Sequence, residues 1–433
     1  MSRATKTVDL ALAVGICLLL AFGPLAFGAV QEWSTFVLEV GTAICIALWT
    51  LREITKPQLE IIFNPLFVPI LLFAALIGAQ LLLNLSAYWY VTWRKALLWA
   101  TYAMLFFMVT QCFRSTASLK RFGQFFTAYG FLLALFAIIQ QFTWNGKIYW
   151  VVPNRNGGWV YGPYVNHAHY AGLMVLLVPI PLVFSIAGFS RKPARVLFAF
   201  AALIMASTIF LSQSLGGIVS FAAELLVFGV LTTLGQRSHR HVYLLGVACI
   251  VLAGWLIILS PGGLGRRLAE LHHPQNMGAA GDRIAIMKDS FKMVRERPIL
   301  GWGFGTFSVV YPSFRSFYSN FVVNEAHNDY VQILVETGVV GFAIAIAFVG
   351  LVYRISLRGI EHWRSEPRAG IALAALVGFS GLLVHSLCDF NLQIPANAAL
   401  FFVLAAIATG SGTFKRSISR FTPYETRRTW ESY

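Results

Sequence analysis

The chain has 433 residues, of which 58% are hydrophobic and only 12% are charged. Soluble domains typically carry about a quarter charged residues, so this composition excludes an ordinary soluble protein and predicts an integral membrane protein. The formal net charge of +15 raises the alternative of nucleic-acid binding, which the distribution of the charge has to decide.

Apolar segments that are long enough to cross a bilayer, about 20 residues each, recur along the chain. They predict about twelve transmembrane helices, at residues 8–30, 33–51, 62–83, 96–113, 121–142, 168–189, 194–213, 216–234, 241–260, 331–353, 370–389 and 394–410. The predicted fold class is therefore an all-α integral membrane protein. One long polar loop, residues 261–330, separates the helices of residues 1–260 from those of residues 331–433, which end in a basic tail.

The lysines and arginines outside these segments lie mostly on one side of the predicted membrane. The side that holds both termini carries 21 of the 33, whereas the short loops of the other side carry only 4, which are Arg94, Lys95, Lys147 and Arg155. Because short cytoplasmic loops are enriched in lysine and arginine, both termini are predicted to be cytoplasmic and the long loop to lie outside. The charge thus reflects topology, and no nucleic-acid partner is predicted.

The N-terminus and the cysteines give no sign of processing or cross-linking. Arg3 and Lys6 before an apolar segment are typical of a signal peptide, but more spans follow and no good cleavage site ends the segment, so an uncleaved first helix is predicted. The cysteines, at positions 17, 45, 112, 249 and 388, lie in or beside apolar segments without paired spacing. They are interpreted as small core residues rather than as disulfide or metal ligands.

Two of the predicted outer loops combine aromatic residues with exposed cations. Arg94 and Lys95 follow an aromatic cluster at residues 88–93, and Arg155 lies within a second cluster at residues 143–163. Such clusters form belts at bilayer interfaces. Alternatively, Arg94 and Lys95 contact an anionic headgroup or substrate, and the second cluster binds a sugar, so both interpretations stay open. His167 and His169 follow, but two histidines without a nearby carboxylate or cysteine are a weak indication of a metal site.

The long loop carries its own predicted helix. It opens with the pair Arg266 and Arg267, and a helix is predicted from Asp282, a suitable cap, to Arg297. Apolar residues at positions 284, 287, 291 and 294 form one stripe of this helix, and basic residues form another. Such a helix is expected against the bilayer surface or the top of the bundle, where Arg283 would lie near lipid phosphates.

A glycine-rich segment and a histidine motif end the loop. Gly301–Gly305 lacks the lysine and the βαβ unit of a phosphate loop, and it is interpreted as a flexible, aromatic-lined turn. The sequence NEAHNDY then places His327 between asparagines and acids where the loop meets a membrane helix. Asn328, Gln332 and Glu336 are spaced by four residues and share one helix face, which is predicted to face a wet cavity below His327.

The last predicted outer turn, residues 385–393, is also polar. It places His385, Asp389, Asn391 and Gln393 near the same membrane surface as His327. We interpret these four residues as a structural polar network.

The residues predicted on the outer face favour group transfer from a lipid diphosphate. Arginine forks bind phosphate oxygens bidentately and stay charged at any relevant pH, so they can stabilise the charge that develops as a glycosidic bond breaks. A histidine whose pKa lies near 6.5 can take a proton from an incoming sugar hydroxyl. The diphosphate linkage is already activated, so no nucleoside triphosphate is needed.

Residues 282–341 resemble the O-antigen ligase and polymerase family of bacterial membrane glycosyltransferases. The resemblance rests on the order of an arginine at a helix start (GDRIAIMKDSF), a proline before a Gly-x-Gly-x-Gly turn (RPILGWGFGTF), and a His-Asn pair followed by Glu-x-Gly (EAHNDYVQILVETGVVG). It implies a C-type glycosyltransferase fold in the bacterial inner membrane, a glycan donor on undecaprenyl diphosphate, and catalysis without a metal or other cofactor. By position, His327 corresponds to the family's essential loop histidine and Arg283 to its loop arginine.

One position departs from the family pattern. Leu215 stands where the family usually carries an arginine after Ser-x-Ser that is implicated in gripping the diphosphate. Another arginine would take over this contact, or the donor would be held differently, or activity would be lost. The candidate catalytic residues are therefore His327 and Arg283, and the candidate substrate-binding residues are Arg94, Arg155, Arg266, Arg267, Asn328 and Glu336.

Several functions remain open at this point. The acceptor is either a second glycan, in the polymerisation of an O-antigen or exopolysaccharide, or the lipid A core, in ligation to lipopolysaccharide. A transporter or flippase of lipid-linked glycans is the alternative from another class, and the intramembrane glutamates Glu39, Glu224 and Glu336 support it. It would predict related halves and discontinuous helices, which the sequence does not reveal. A non-catalytic assembly subunit is the third possibility.

Overall fold

The computed structural model describes residues 3–56, 58–154, 159–233, 278–318 and 322–419. The helices in these ranges are α1 Arg3–Leu25, α2 Glu32–Ile54, α3 Phe67–Leu82, α4 Trp89–Cys112, α5 Thr116–Phe142, α6 His167–Leu177, α7 Pro179–Ile186, α8 Lys192–Leu211, α9 Leu215–Thr233, α10 Gly278–Glu296, α11 Phe307–Val310, α12 Asp329–Gly359, α13 Pro367–His385 and α14 Pro395–Ala408. Short strands accompany them: β1 Gln58–Phe63, β2 Lys147–Ile148, β3 Val152–Pro153 and β4 Phe414–Ser419.

Nine membrane-spanning candidates lie in the described ranges. They are α1, α2, α4, α5, α6 together with α7, α8, α9, α12 and α13, while α3 and α14 are shorter apolar helices. Each of these helices coincides with a predicted segment, and the remaining predicted segment, 241–260, lies outside the described residues. The prediction of an all-α integral membrane protein is therefore confirmed.

The centre of the bundle is formed by α6, α7 and α13. In the span of α6 and α7, 83% of the residues are buried, against 28% in α2 and in α8. Helices that are apolar on all sides are expected at the core of a bundle, and the others leave one face for lipid. His169 of α6 and His385 of α13 are therefore held in the most enclosed part of the protein.

Two strands cover the end of the bundle that lies opposite to His327. β1 pairs antiparallel with β4, and Gln111 at the end of α4 holds β1. Its side chain donates to Ile62 O at 2.7 Å and accepts from Ile62 N–H at 2.9 Å. The predicted third span began too early, at residue 62, because this ladder uses residues 58–63 and α3 begins at Phe67.

α10 lies on top of the bundle, and its buried face is offset from the predicted apolar stripe. Its buried side chains include Ile286, Asp289, Ser290 and Met293. Half of the predicted apolar stripe packs inward, since Met287 and Val294 contact the buried cluster, whereas Ile284 and Phe291 are each 46% exposed. Asp289 explains the difference, because its carboxylate accepts hydrogen bonds from the Ser316 amide and hydroxyl, both at 2.9 Å. A polar residue therefore faces inward to anchor the segment that follows α11.

α12 is broken at Gly338, whose φ of 62° and ψ of −167° are not helical. The preceding loop hydrogen-bonds the backbone at this break. Val339 N–H donates to Pro298 O at 2.8 Å, and Gly303 N–H donates to Glu336 O at 3.0 Å. Because unsatisfied backbone groups are costly at membrane depth, residues 298–303 supply the partners that a continuous helix would have provided.

The glycine-rich turn is packed and hydrogen-bonded rather than flexible as predicted. Gln80 of α3 donates to Leu300 O at 2.7 Å and to Glu336 O at 2.9 Å, and its side-chain oxygen accepts from Phe304 N–H at 2.9 Å. Gly303 has a φ of 114°, and a Cβ there would lie 2.5 Å from Ser86 Oγ. The turn is thus fixed between α3 and the broken helix.

Candidate active site

His327 lies directly before α12, and its neighbour Asn328 fixes the helix start. The Asn328 side-chain oxygen accepts from the amides of Tyr330 and Val331, both at 3.0 Å. Its amide nitrogen donates to Leu387 O at 2.8 Å. His327 itself has a φ of 52°, a left-handed conformation in which histidine is enriched among residues other than glycine. The cap and the turn together set where the imidazole lies.

Asp329 ties the start of α12 to the turn that follows α13. Asp329 N–H donates to Ser386 O at 3.0 Å, and the Asp329 carboxylate accepts from the Ser386 hydroxyl at 2.7 Å and from Leu392 N–H at 3.1 Å. The polar turn predicted at residues 385–393 therefore lies beside His327. Sequence reasoning treated the two motifs separately, and these bonds join them into one site.

A single aromatic ring separates two histidines in this site. Phe390 meets His327 edge-on with 4.9 Å between ring centroids, and it meets His169 edge-on at 4.7 Å. On the other side, His169 Nε2 lies 3.7 Å from Asp389 Oδ1, which is an ion-pair distance and too long for a hydrogen bond. The carboxylate that the sequence analysis did not find near His169 is thus Asp389, 220 residues further along the chain.

Arg283 of α10 extends to the same turn. Its side chain is exposed, and one guanidinium nitrogen donates to Cys388 O at 3.3 Å. A guanidinium has five N–H donors, so this single bond leaves donors of Arg283 for an anionic ligand. The two residues predicted to be catalytic are therefore brought together by the fold.

Burial and neighbouring charges shift the pKa values of His327 and Asp389. Burial, followed by the positive charge of Arg283, lowers the pKa of His327 to about 4, although the Asp389 carboxylate opposes the shift. Burial alone would raise the pKa of Asp389, but its interactions with His169, His385 and Arg283 outweigh burial and hold that pKa below its ordinary value. At neutral pH His327 is uncharged and can accept a proton, while Asp389 is ionised.

A second carboxylate lies on the other flank of His327. Glu325 accepts a hydrogen bond from Gln332, and burial raises its pKa while the charge of Lys95 on α4 lowers it. Lys95 also packs against the glycine turn, since a Cβ at Gly305 would lie 2.3 Å from Lys95 Cγ. Lys95 is therefore a cation of the site. It is not among the predicted substrate-binding residues, although it is one of the four cations in the short outer loops.

Other predicted substrate-binding residues have different surroundings. The Glu336 carboxylate accepts from Gly305 N–H at 2.8 Å and from Gln332 at 3.1 Å, so Glu336 holds the packed turn, and Glu336 also lines the cavity described below. Both ends of the Asn328 amide are also used within the protein. Arg94 lies near the start of α4, where a guanidinium nitrogen is 3.9 Å from a carboxylate oxygen of Glu32.

Three of the predicted arginines, Arg155, Arg266 and Arg267, lie outside the described residues. Within the described part of the chain, no group of three or more His, Cys, Asp or Glu residues is arranged to hold a metal ion.

A narrow cavity leads from the site into the apolar part of the bundle. Its polar end is lined by Lys95, Asp329, Glu336, Ser386 and Gln393. Most of its remaining wall is apolar, with aromatic rings of α3, α4, α12 and α14, and its volume is about 170 Å³. A ligand with a polar head and an apolar chain matches a cavity that is polar at one end and apolar along the rest of its wall.

Comparison with known proteins identifies the part of the chain that forms this site. A family model described as O-antigen ligase matches residues 200–346, about a third of the chain. The matched segment contains α10, the glycine turn, His327 and the break in α12, which are the features that position the site. The match supports the family predicted from these motifs over the residues it covers. A search of curated proteins found no match.

Proposed function

We infer that this multi-pass bacterial membrane protein of the O-antigen ligase family transfers a glycan from undecaprenyl diphosphate to a hydroxyl acceptor at the periplasmic face of the inner membrane. The observation that carries the proposal is the pairing of His327, held neutral by its surroundings, with the exposed guanidinium of Arg283. Asp329, two residues from His327, lines the polar end of the apolar cavity. A lipid-borne anionic donor fits this combination.

The proposed reaction needs only residues of this chain. The acceptor oxygen forms a bond to the anomeric carbon of the donor sugar, and the bond between that carbon and the diphosphate oxygen breaks. The leaving diphosphate keeps the electron pair, and Arg283 stabilises its charge. The acceptor proton goes to His327, and the ionised Asp389 stabilises the imidazolium that results.

The acceptor decides between the two reactions of this type. Purified protein would be given an undecaprenyl-diphosphate oligosaccharide alone and then together with a lipid A core acceptor. Longer lipid-linked glycans without acceptor would identify a polymerase of O-antigen or exopolysaccharide, and product that forms only with acceptor would identify a ligase. If intact protein forms neither product, the proposed transfer is wrong.

We expect Arg283→Lys to lower the transfer rate by about tenfold or more. Lysine keeps the charge, but a point charge replaces a planar fork that binds a phosphate bidentately. Initial rates at saturating donor measure the effect. The matched control is Arg295→Lys, an equally exposed change on the same helix, which should leave the rate unchanged. A wild-type rate for Arg283→Lys would argue against phosphate contact.

We expect transfer to persist at mildly acidic pH and to fall only as pH approaches about 4, where His327 takes up a proton. Replacing Arg283 by glutamine should move this midpoint upward, because the guanidinium charge lowers the pKa of His327. Between pH 4 and 6.5, the ordinary pKa of histidine, His327 binds a proton in the unfolded chain but not in the folded protein. The free energy of unfolding therefore falls as the pH falls through this range. An acidic midpoint near 6.5 in pH–rate profiles would contradict this assignment.

Chelation should leave the rate unchanged if the proposed metal-independent mechanism holds. The measurement is transfer after treatment with EDTA, followed by dialysis. Inhibition that a divalent ion reverses would show that the arginine site does not act alone.

The transporter alternative now depends mainly on Glu224. This residue is 2% exposed, and neither carboxyl oxygen has a hydrogen-bond partner among the described residues. α12 is also discontinuous, as a transporter would predict, but loop residues 298–303 hydrogen-bond the break. If Glu224→Gln abolished function in cells while a His327 variant did not, transport would replace transfer as the proposed activity.

A further inference from the structure

A second cavity, of about 940 Å³, lies at the membrane face opposite to His327. We call it the α1–α5 cavity, because its walls come from α1, the ends of α2 and α4, and the start of α5. α4 begins beside the His327 site and ends at this cavity, so the two sites are separated by the length of a membrane helix. The proposed transfer reaction makes no use of it.

Cations at the mouth of the α1–α5 cavity outnumber the acids that could neutralise them. The acids there already pair with nearby cations: Asp9 with Arg52 at 2.7 Å, Glu53 with Lys56 at 2.6 Å, and Glu60 with Lys415. Arg114 is left 4.0 Å from Glu60, and Arg121 forms no ion pair with any described residue. Both arginines line the cavity.

Arg114 and Arg52 are held in place by contacts within the protein, whereas Arg121 is exposed. Arg114 Nε donates to Gln111 O at 2.6 Å, and another guanidinium nitrogen donates to the Gln111 side chain at 3.2 Å. Arg52 has a side chain that is only 9% exposed. Its Nε is buried without a hydrogen-bond partner among the described residues. A buried polar group of this kind calls for a partner.

The deeper wall of the α1–α5 cavity is apolar and continuous with the lipid-facing surface. Leu10, Val14 and Leu18 recur every four residues on α1 and line the cavity. They are 54%, 47% and 57% exposed, so they face outward from the bundle, where the bilayer lies. Phe122 and Phe125 of α5 form part of the other wall. A ligand here needs a charged end and an apolar chain.

We propose that the α1–α5 cavity is a binding site for an anionic phospholipid. The phosphate would lie against Arg114 and Arg121 at the membrane surface, and an acyl chain would follow the stripe of Leu10, Val14 and Leu18. Charge complementarity favours this occupant over a neutral lipid, since cations at the membrane surface attract anionic headgroups. The apolar wall favours it over a soluble anion, which would leave that wall uncovered.

Native mass spectrometry of the purified full-length protein, titrated with phosphatidylglycerol or phosphatidylcholine, tests the proposal. Wild type should bind phosphatidylglycerol at least about tenfold more tightly than phosphatidylcholine. The double variant Arg114→Gln/Arg121→Gln should lose most of that preference. The control Arg354→Gln/Arg358→Gln removes the same charge from exposed positions of α12 at the same face, outside the cavity, and should keep it.

A second variant separates lipid binding from misfolding of the first. Ala13→Trp fills the apolar wall and keeps every charge, so it should also lower the affinity for phosphatidylglycerol. Inorganic phosphate at millimolar concentration should not displace the lipid. Equal affinity for both lipids, unchanged binding by both cavity variants, equal loss in the α12 control, or displacement by phosphate would each overturn the proposal.

Discussion

His327→Asn is expected to reduce glycan transfer by about 10²- to 10⁴-fold, the usual contribution of a general base. Asparagine is the informative substitution because the backbone at this position is left-handed, with a φ of 52°. Asparagine tolerates that conformation, whereas alanine would add strain. The variant therefore removes the titratable ring while keeping a polar residue that the turn accommodates. The measurement is the initial rate of transfer per mole of membrane-inserted protein.

The control for this substitution is His362→Asn, because His362 is exposed at the opposite face of the membrane. It makes the same chemical change without touching the site, so its rate should equal that of wild type. Retained transfer by His327→Asn would remove His327 from the reaction. Equal losses in both variants would indicate a general effect of the substitution.

Part of the site could be predicted from local sequence. An arginine at a helix start and a His-Asn pair at the entrance to a membrane helix are local patterns, and the fold brings Arg283 and His327 together as those patterns imply. Asp389 and His169 could not be paired in this way, because 220 residues separate them and neither lies in a distinctive motif. Only the packing of α6 against α13 places them 3.7 Å apart.

The periodicity of α10 shows a different limit of sequence reasoning. Of the predicted apolar stripe, positions 287 and 294 pack inward and positions 284 and 291 are exposed, because the helix also buries Asp289. A buried carboxylate is costly unless it is hydrogen-bonded, and Ser316 provides those bonds from a segment whose position the sequence does not reveal. Hydrophobic spacing alone therefore identified the helix correctly and misjudged its orientation.

The break in α12 was also hidden, because glycine is common in membrane helices and the Glu-x-Gly motif that contains Gly338 does not by itself indicate a discontinuity. The surroundings of Gly338 and Gly350 differ completely. A Cβ at Gly338 would lie 2.2 Å from the backbone oxygen of Ile299, whereas nothing lies within 4 Å of a Cβ at Gly350. The discontinuity is thus a product of the loop that inserts beside the helix.

Gly338→Ala is accordingly expected to destabilise the protein by roughly 3 kcal/mol or more, from backbone strain of about 1–3 kcal/mol and a clash with backbone that cannot move without breaking the bonds of residues 298–303. The matched change Gly350→Ala should be neutral or stabilise by up to about 1 kcal/mol, since it lies in open space within a helix. Thermal unfolding in detergent would compare the two. Because His327 directly precedes the helix that is broken at Gly338, Gly338→Ala should lose transfer activity at temperatures where Gly350→Ala retains it. Equal unfolding temperatures for the two variants would mean that the loop can yield, and that the broken helix does not hold the site in place.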